Sequence, residues 1–115
     1  PVTTGRGPQE QVHRVVTFTG QAVRGGEMFL RLSPRARQYP RRQASEREAQ
    51  PVDGWAQGTA VRYGQGRVVI LGETAMITSQ IATSGSRRLH LGISGDNNDQ
   101  QLVLNIMHWL SGLTP

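Results

Sequence analysis

The stretch that decides the predicted fold is residues 64–80, which read Gly-Gln-Gly-Arg-Val-Val-Ile-Leu-Gly-Glu-Thr-Ala-Met-Ile-Thr-Ser-Gln. Val68–Leu71 is an apolar run with three β-branched members, which is too short for a helix and typical of a buried strand. Gly72 ends that strand, and the spacing that follows predicts a helix over 74–82. The pattern is a strand–turn–helix unit of an α/β sheet. It places the Glu73 carboxylate at the carboxyl end of an inner strand, where such sheets bind ligands.

The elements that precede this stretch are predicted from the same patterns of apolar and turn-forming residues. Residues 12–19 alternate along two faces and Met28–Leu32 is a short apolar run, so we predict a strand in each. Trp55–Tyr63 is predicted to resume regular structure. Gly64-Gln65-Gly66 then joins it to Val68–Leu71 in a β-hairpin, because a glycine-rich turn between two such runs is typical of hairpins. The same turn lacks the third glycine of a dinucleotide-binding fingerprint.

The sequence predicts a closing helix over residues 99–112, after a loop rich in Gly, Ser and Arg that ends near Asp96. Asp96, Asn97 and Asn98 are candidate N-caps, and Asp99 suits the positive first turn. Gly112 stands where a C′ glycine belongs.

The predicted faces of this helix differ in polarity, and the apolar face is wide enough to require a sheet beneath it. Burying its side chains would contribute ~1.5–3 kcal/mol each. The predicted buried stripe is Leu102, Ile106, Trp109 and Leu113, widened by Val103, Met107 and Leu110. The predicted solvent-facing side is Gln101, Asn105 and His108.

The composition limits the chemistry that this chain carries. It has no cysteine, which excludes disulfides, thiolate metal sites and a cysteine nucleophile within these 115 residues. No apolar run approaches 18 residues, so we expect no membrane span. The three histidines are not at ligand spacing, and Asp96–Asp99 lacks the glycine and the bidentate glutamate of a calcium loop. We therefore predict no metal and no cofactor.

An arginine-rich loop at 34–50 is the second feature that suggests a function. The net charge is +5 and all 13 basic residues of the chain are arginine. The loop has no sustained period, so we predict an exposed segment, and an arginine-mediated interaction module is one alternative function. Nucleic acid is a poor fit as a partner, since Tyr39 is the loop's one aromatic residue and Glu46 and Glu48 dilute its charge.

Several phrases of this chain resemble those of one protein family. They are Gly54-Trp55-Ala56-Gln57-Gly58, residues 64–80 with their Gly-Glu-Thr-Ala-Met phrase, and residues 98–112. The opening Pro1–Arg6 and the strand Val15–Gly20 are similar to two further parts of the same family. The chain resembles the C-terminal half of an uncharacterised bacterial family with a class I glutamine amidotransferase-like domain, which is flavodoxin-like and similar to trehalose-utilisation-like domains.

The resemblance implies an α/β fold, namely the C-terminal half of a three-layer flavodoxin-like sheet with a β-hairpin and two helices. Residues 1–115 are then expected to be a single incomplete domain, and the upstream parallel βα units are the partner that completes its sheet. Many relatives are exported, so the resemblance implies an exported or periplasmic bacterial protein. The lack of cysteine fits an exported protein and a cytosolic one equally well.

The resemblance also implies that amidotransferase chemistry is missing from this chain. Working amidotransferases use a cysteine at a strand–helix elbow, with a histidine near the end of a later strand. The corresponding place here reads Gly72-Glu73-Thr74, and neither His90 nor His108 matches the motif. Because a nucleophile needs a base within hydrogen-bond reach, we expect a non-catalytic or small-ligand-binding domain.

The candidate site residues are Glu73, Thr74 and Thr78. Glu73 is a candidate ligand-binding group or general base, and the two hydroxyls would line the same crevice. The structural alternative is that Glu73 stabilises the start of the next helix, an effect of ~0.3–1 kcal/mol. The enzymatic alternative is a hydrolase whose nucleophile lies upstream and whose acid–base group is Glu73.

Overall fold

The computed structural model describes residues 1–115 and divides them into two compact units. Unit 1 is residues 1–19 with 73–115, and unit 2 is residues 20–72. The strands are β1 (Glu27–Arg31), β2 (Arg37–Gln38), β3 (Gln50–Pro51), β4 (Ala56–Tyr63), β5 (Gly66–Leu71), β6 (Ser79–Ser84) and β7 (Arg87–Gly92). The one α-helix is α1 (Asp99–Leu110), and 3₁₀ turns lie at Pro8–Glu10, Glu46–Glu48 and Ala75–Ile77.

The chain is therefore of mixed α and β content, with more strand than helix. Every strand pair is antiparallel, in a three-stranded sheet of order β1-β4-β5 and two separate pairs, β2-β3 and β6-β7. The prediction of two helices is wrong, because the structure has one α-helix. No helix is long or apolar enough to cross a membrane. The assignment of 1–115 to one incomplete domain stays a prediction.

β4 is the central strand of unit 2, and its small residues allow the neighbouring strand to pack closely. Ala56 and Ala60 are buried in the core of the unit. At Gly58 there is no space for a side chain, since a Cβ there would lie 2.8 Å from the ring of Phe29 on β1. The strands predicted at Met28–Leu32 and Trp55–Tyr63 are thus confirmed to within a residue.

The β4–β5 hairpin is confirmed, but the prediction that Val68–Leu71 is an interior strand is wrong. Tyr63 pairs with Gly66, and Gly64 adopts the positive φ of +58° that a two-residue hairpin turn requires. β5 is an edge strand of its sheet, and Val68 and Ile70 are 40% and 47% exposed. A short β-branched run suits an edge strand as well as an inner one, because its composition does not specify its neighbours.

The strand predicted over residues 12–19 is wrong, although no helix replaces it. Its backbone forms hydrogen bonds with side chains at the start of α1 and not with another strand. The Arg14 amide donates to Asn98 Oδ1 at 3.0 Å, and the Val16 amide donates to Asp99 Oδ1 at 2.9 Å. The Asn98 amide in turn donates to the Arg14 carbonyl at 2.7 Å. The segment is therefore held against the helix start.

The helix predicted over 74–82 is also wrong. A single 3₁₀ turn at Ala75–Ile77 leads into β6, and the stretch predicted as a glycine-, serine- and arginine-rich loop forms β7. Thr78, Ile81 and Thr83 are β-branched, which favours a strand over a helix. Gly85, with a φ of +60°, supplies the turn between the two strands.

The closing helix is confirmed, with Asn98 at its N-cap and Gly112 beyond its C-terminus at a φ of +83°. Leu102, Ile106 and Trp109 are buried as predicted. The predicted sheet beneath the helix is not its main support in unit 1. α1 packs instead against the Ala75–Ile77 turn, and its polar side chains bind the N-terminal segment.

The predicted faces of α1 are partly wrong, because the buried face includes polar residues. Leu113 is 64% exposed, and Met107 and Leu110 are exposed too. Asn105, predicted on the solvent-facing side, is completely buried. The buried face of the helix consists of Asp99, Leu102, Asn105, Ile106 and Trp109.

Candidate functional site

Glu73 lies at the start of the Ala75–Ile77 turn, with its side chain turned into unit 1. The residue is 8% exposed. Its Oε2 accepts a hydrogen bond of 3.3 Å from the backbone amide of Met76, which is itself buried. Glu73 therefore satisfies a backbone donor of the turn, as a residue preceding a helix commonly does. The structural alternative placed Glu73 at the start of a helix, whereas here it binds a backbone amide of a single 3₁₀ turn.

Asp99 is a second buried carboxyl group in unit 1. It occupies the first position of α1 and is completely buried, and its Oδ1 accepts the hydrogen bond from the Val16 amide. Burial raises the pKa of Asp99, and the nearby Glu73 charge raises it further. The Val16 hydrogen bond and the Arg14 guanidinium act in the opposite direction and lower this pKa.

Glu73 and Asp99 share one property that distinguishes them from the other acidic residues. Each places one oxygen on a backbone amide and leaves the other buried without a hydrogen-bond partner; these atoms are Glu73 Oε1 and Asp99 Oδ2. Buried polar atoms almost always have partners. Two unpartnered carboxyl oxygens therefore lie on buried groups that affect each other electrostatically.

The two threonine candidates lie beside Glu73 in sequence and at the surface. Thr74 precedes the turn, and its hydroxyl does not cap it. The Thr78 hydroxyl donates to the Ala75 carbonyl at 2.7 Å and accepts from Gln80 Nε2 at 2.6 Å. The structure thus brings the three predicted residues to one turn, with the carboxylate inside and the hydroxyls outside.

Sequence reasoning missed Asp99 as a buried carboxyl group that interacts electrostatically with Glu73. An aspartate at the first position of a helix is most simply explained by the helix dipole, and that explanation does not require burial. One signal was present, because Asp99 lies three residues before Leu102 on the face that the apolar pattern assigned to the core. Neither unpartnered oxygen is accessible to solvent, so the two carboxyl groups can interact only with neighbouring protein atoms.

No three His, Cys, Asp or Glu residues converge in a way that could hold a metal ion.

A second polar cluster forms at Glu10, in the N-terminal segment. Arg6 Nε donates to Glu10 Oε1 at 2.8 Å, and the Arg6 amide donates to Glu10 Oε2 at 2.8 Å. These bonds lower the pKa of Glu10 to about 2. His108 Nδ1 lies 3.8 Å from Glu10 Oε2. The residues from Arg6 to Glu10 line an open groove of about 640 Å³, in which the acidic group is already neutralised by Arg6.

The arginine-rich loop in unit 2 is exposed as predicted, but it is more regular than predicted. β2 and β3 pair across its base. Within the loop, Arg41 forms an ion pair of 2.6 Å with Glu48, and the Tyr39 hydroxyl donates to Glu46 Oε1 at 2.6 Å. The Ser45 amide and the Arg41 guanidinium lower the pKa of Glu48. The loop's two acidic residues and its aromatic residue therefore bind within the loop itself.

No protein-family model, curated protein or solved structure matches this chain.

Proposed function

We propose that this chain is a non-catalytic domain of the class I glutamine amidotransferase-like type, belonging to an exported bacterial protein. In this proposal it is the C-terminal half of a flavodoxin-like domain, and upstream residues complete the sheet. Glu73 keeps the strand-end position of a functional residue but acts within the fold. A small ligand at this turn would contact the surface hydroxyls of Thr74 and Thr78.

The observation that carries the proposal is the orientation of the Glu73 carboxylate. A general base must lie within hydrogen-bond reach of the proton that it removes from a substrate. Glu73 instead gives one oxygen to the Met76 amide and keeps the other away from solvent. A substrate could reach it only if the Ala75–Ile77 turn opened.

The hydrolase alternative requires more groups than this chain brings together. Glu73 has Asp99 as its acidic neighbour, and its carboxylate accepts a hydrogen bond from the Met76 amide and not from a base-orienting side chain such as a histidine. The lack of cysteine removes the amidotransferase nucleophile from these 115 residues. These features favour a structural carboxyl group over an acid–base catalyst.

The proposal predicts different results for two replacements of Glu73. Glu73→Gln keeps an oxygen for the Met76 amide, so we expect little change in the free energy of unfolding. Glu73→Ala removes that acceptor, so we expect a loss of about 0.5–2 kcal/mol. Urea unfolding followed by circular dichroism measures both.

The same variants test the absence of catalysis. Because the hydrolase alternative places its nucleophile upstream, ammonia release from L-glutamine and p-nitrophenol release from p-nitrophenyl acetate are measured for the chain extended by its proposed upstream half, unmodified and with Glu73→Gln. We expect both proteins to match the buffer rate. Turnover by the unmodified extended chain that disappears in a stably folded Glu73→Gln protein would establish the hydrolase alternative and refute the proposal.

A further inference from the structure

The two buried carboxyl groups of unit 1 each have an unpartnered oxygen, and a single proton between them would give both oxygens a hydrogen-bond partner. Glu73 Oε2 and Asp99 Oδ1 accept hydrogen bonds from backbone amides. Glu73 Oε1 and Asp99 Oδ2 are buried and have no donor. The two groups act on each other electrostatically, and α1 packs against the turn that Glu73 precedes. If both were ionised, two interacting negative charges would be held without solvent, and each would keep an unsatisfied oxygen. Such an arrangement is costly in a protein interior.

We infer that Glu73 and Asp99 share one proton, which Asp99 Oδ2 carries and donates to Glu73 Oε1. The pair then has a net charge of −1, and one O–H···O hydrogen bond satisfies both unpartnered oxygens. Charge-assisted bonds of this type are among the stronger hydrogen bonds in proteins. The proton is placed on Asp99 because that side chain is completely buried, whereas Glu73 is 8% exposed.

The shared proton would join three parts of unit 1 that are distant in sequence. Glu73 is bonded to the Ala75–Ile77 turn, and Asp99 begins α1. Through Val16, Asp99 is also bonded to the N-terminal segment. The pair is therefore a pH-sensitive latch that holds this unit together. It is a property of the fold, and it does not depend on whether the proposed function is correct.

The charged groups acting on Asp99 determine the direction of the pH effect. They are Glu73, which raises its pKa, and Arg14, which lowers it, in addition to the larger effect of burial, which raises it. Since the pKa is raised above the ordinary 3.8 of the unfolded chain, the folded chain binds more protons in the interval between the two values. The stability linked to the Asp99 proton is therefore lost as the pH rises through the raised pKa of Asp99.

The test is a pH titration of the side-chain carboxyl carbons by ¹³C NMR on the full chain. We expect the Asp99 carboxyl carbon to change from its acid form to its ionised form at a pH above 3.8. In Glu73→Gln the side-chain amide offers a donor to Asp99 Oδ2 and removes the negative neighbour, so the Asp99 midpoint is expected to move to lower pH. Glu10→Gln is the matched control, because it removes one carboxylate of unit 1 and leaves the Asp99 midpoint in place.

The titration of the unmodified chain keeps the inference testable even if a variant folds poorly. An Asp99 midpoint at or below 3.8 would overturn the shared proton. So would an Asp99 midpoint that is the same in the unmodified chain and in Glu73→Gln. A midpoint that is raised and that depends on Glu73, and not on Glu10, supports the latch.

Discussion

Gly92→Ala is expected to lower the free energy of unfolding by roughly 2–5 kcal/mol. Gly92 ends β7 with a φ of +64°, a conformation that costs an alanine about 1–2 kcal/mol. A Cβ at this position would overlap the Thr78 carbonyl oxygen and lie 2.9 Å from that of Ala75. Such over-packing costs a further 1–3 kcal/mol or so. Both carbonyls belong to the turn that Glu73 precedes, so the variant should also disturb the site.

Gly85→Ala is the matched control for this prediction. Gly85 lies at the turn between β6 and β7 with nearly the same φ, +60°, but a Cβ there would meet open space. We expect it to lose only the conformational part, about 1–2 kcal/mol. Urea unfolding of both variants measures the difference, and equal losses would contradict the close packing of Gly92 on the turn.

Asn105→Leu is expected to cost about 2–4 kcal/mol, although it places an apolar residue on a buried helix face. Asn105 Nδ2 donates to the Val2 carbonyl at 3.1 Å and to the Glu10 carbonyl at 2.8 Å. Leucine would leave both acceptors without a donor. A buried polar group that loses its partner costs about 1–3 kcal/mol, and the half-buried Glu10 carbonyl should cost less than the buried one of Val2.

Gln100→Leu provides the comparison on the same helix. Gln100 is exposed, so the same type of substitution should change the free energy of unfolding by less than about 0.5 kcal/mol. Chemical denaturation is combined here with hydrogen exchange of the N-terminal segment, which should be faster in Asn105→Leu only. An Asn105→Leu protein as stable as Gln100→Leu would show that Asn105 does not hold the segment.

The parts of the fold that the sequence predicted correctly are those set by neighbouring residues. The β4–β5 hairpin follows from two apolar runs around Gly64-Gln65-Gly66, and α1 follows from its apolar spacing between Asn98 and Gly112. Turn geometry and helix ends depend on a few adjacent side chains. Local patterns therefore suffice for them.

The parts that the sequence did not predict depend on distant contacts. The composition of Val68–Leu71 could not show whether a second neighbour covers β5, and in its sheet none does. Asn105 looked like a surface residue because its partner, the Val2 carbonyl, is 103 residues away. The helix predicted over 74–82 failed because strand pairing with β7 outweighs a weak helical spacing.

The position of Glu73 after a strand was predicted, but the orientation of its carboxylate was not. Glu73 follows a strand, as the pattern indicated, and Thr74 and Thr78 flank the same turn. The carboxylate turns inward to the Met76 amide, and its electrostatic neighbour Asp99 is 26 residues further along the chain, on the helix that packs against the turn. The inward orientation of Glu73 and its pairing with Asp99 could therefore be found only from the structure.

The most direct test of a structural Glu73 is a double-mutant cycle on the free energy of unfolding at a pH between 3.8 and the measured Asp99 midpoint, where Asp99 carries its proton, using Glu73→Ala, Asp99→Ala and the double variant. Because the two side chains are proposed to bind each other, we expect the double variant to lose less stability than the sum of the single losses, by about 0.5–3 kcal/mol. Losses that add to within about 0.5 kcal/mol, or a double variant that loses more than the sum, would contradict the account.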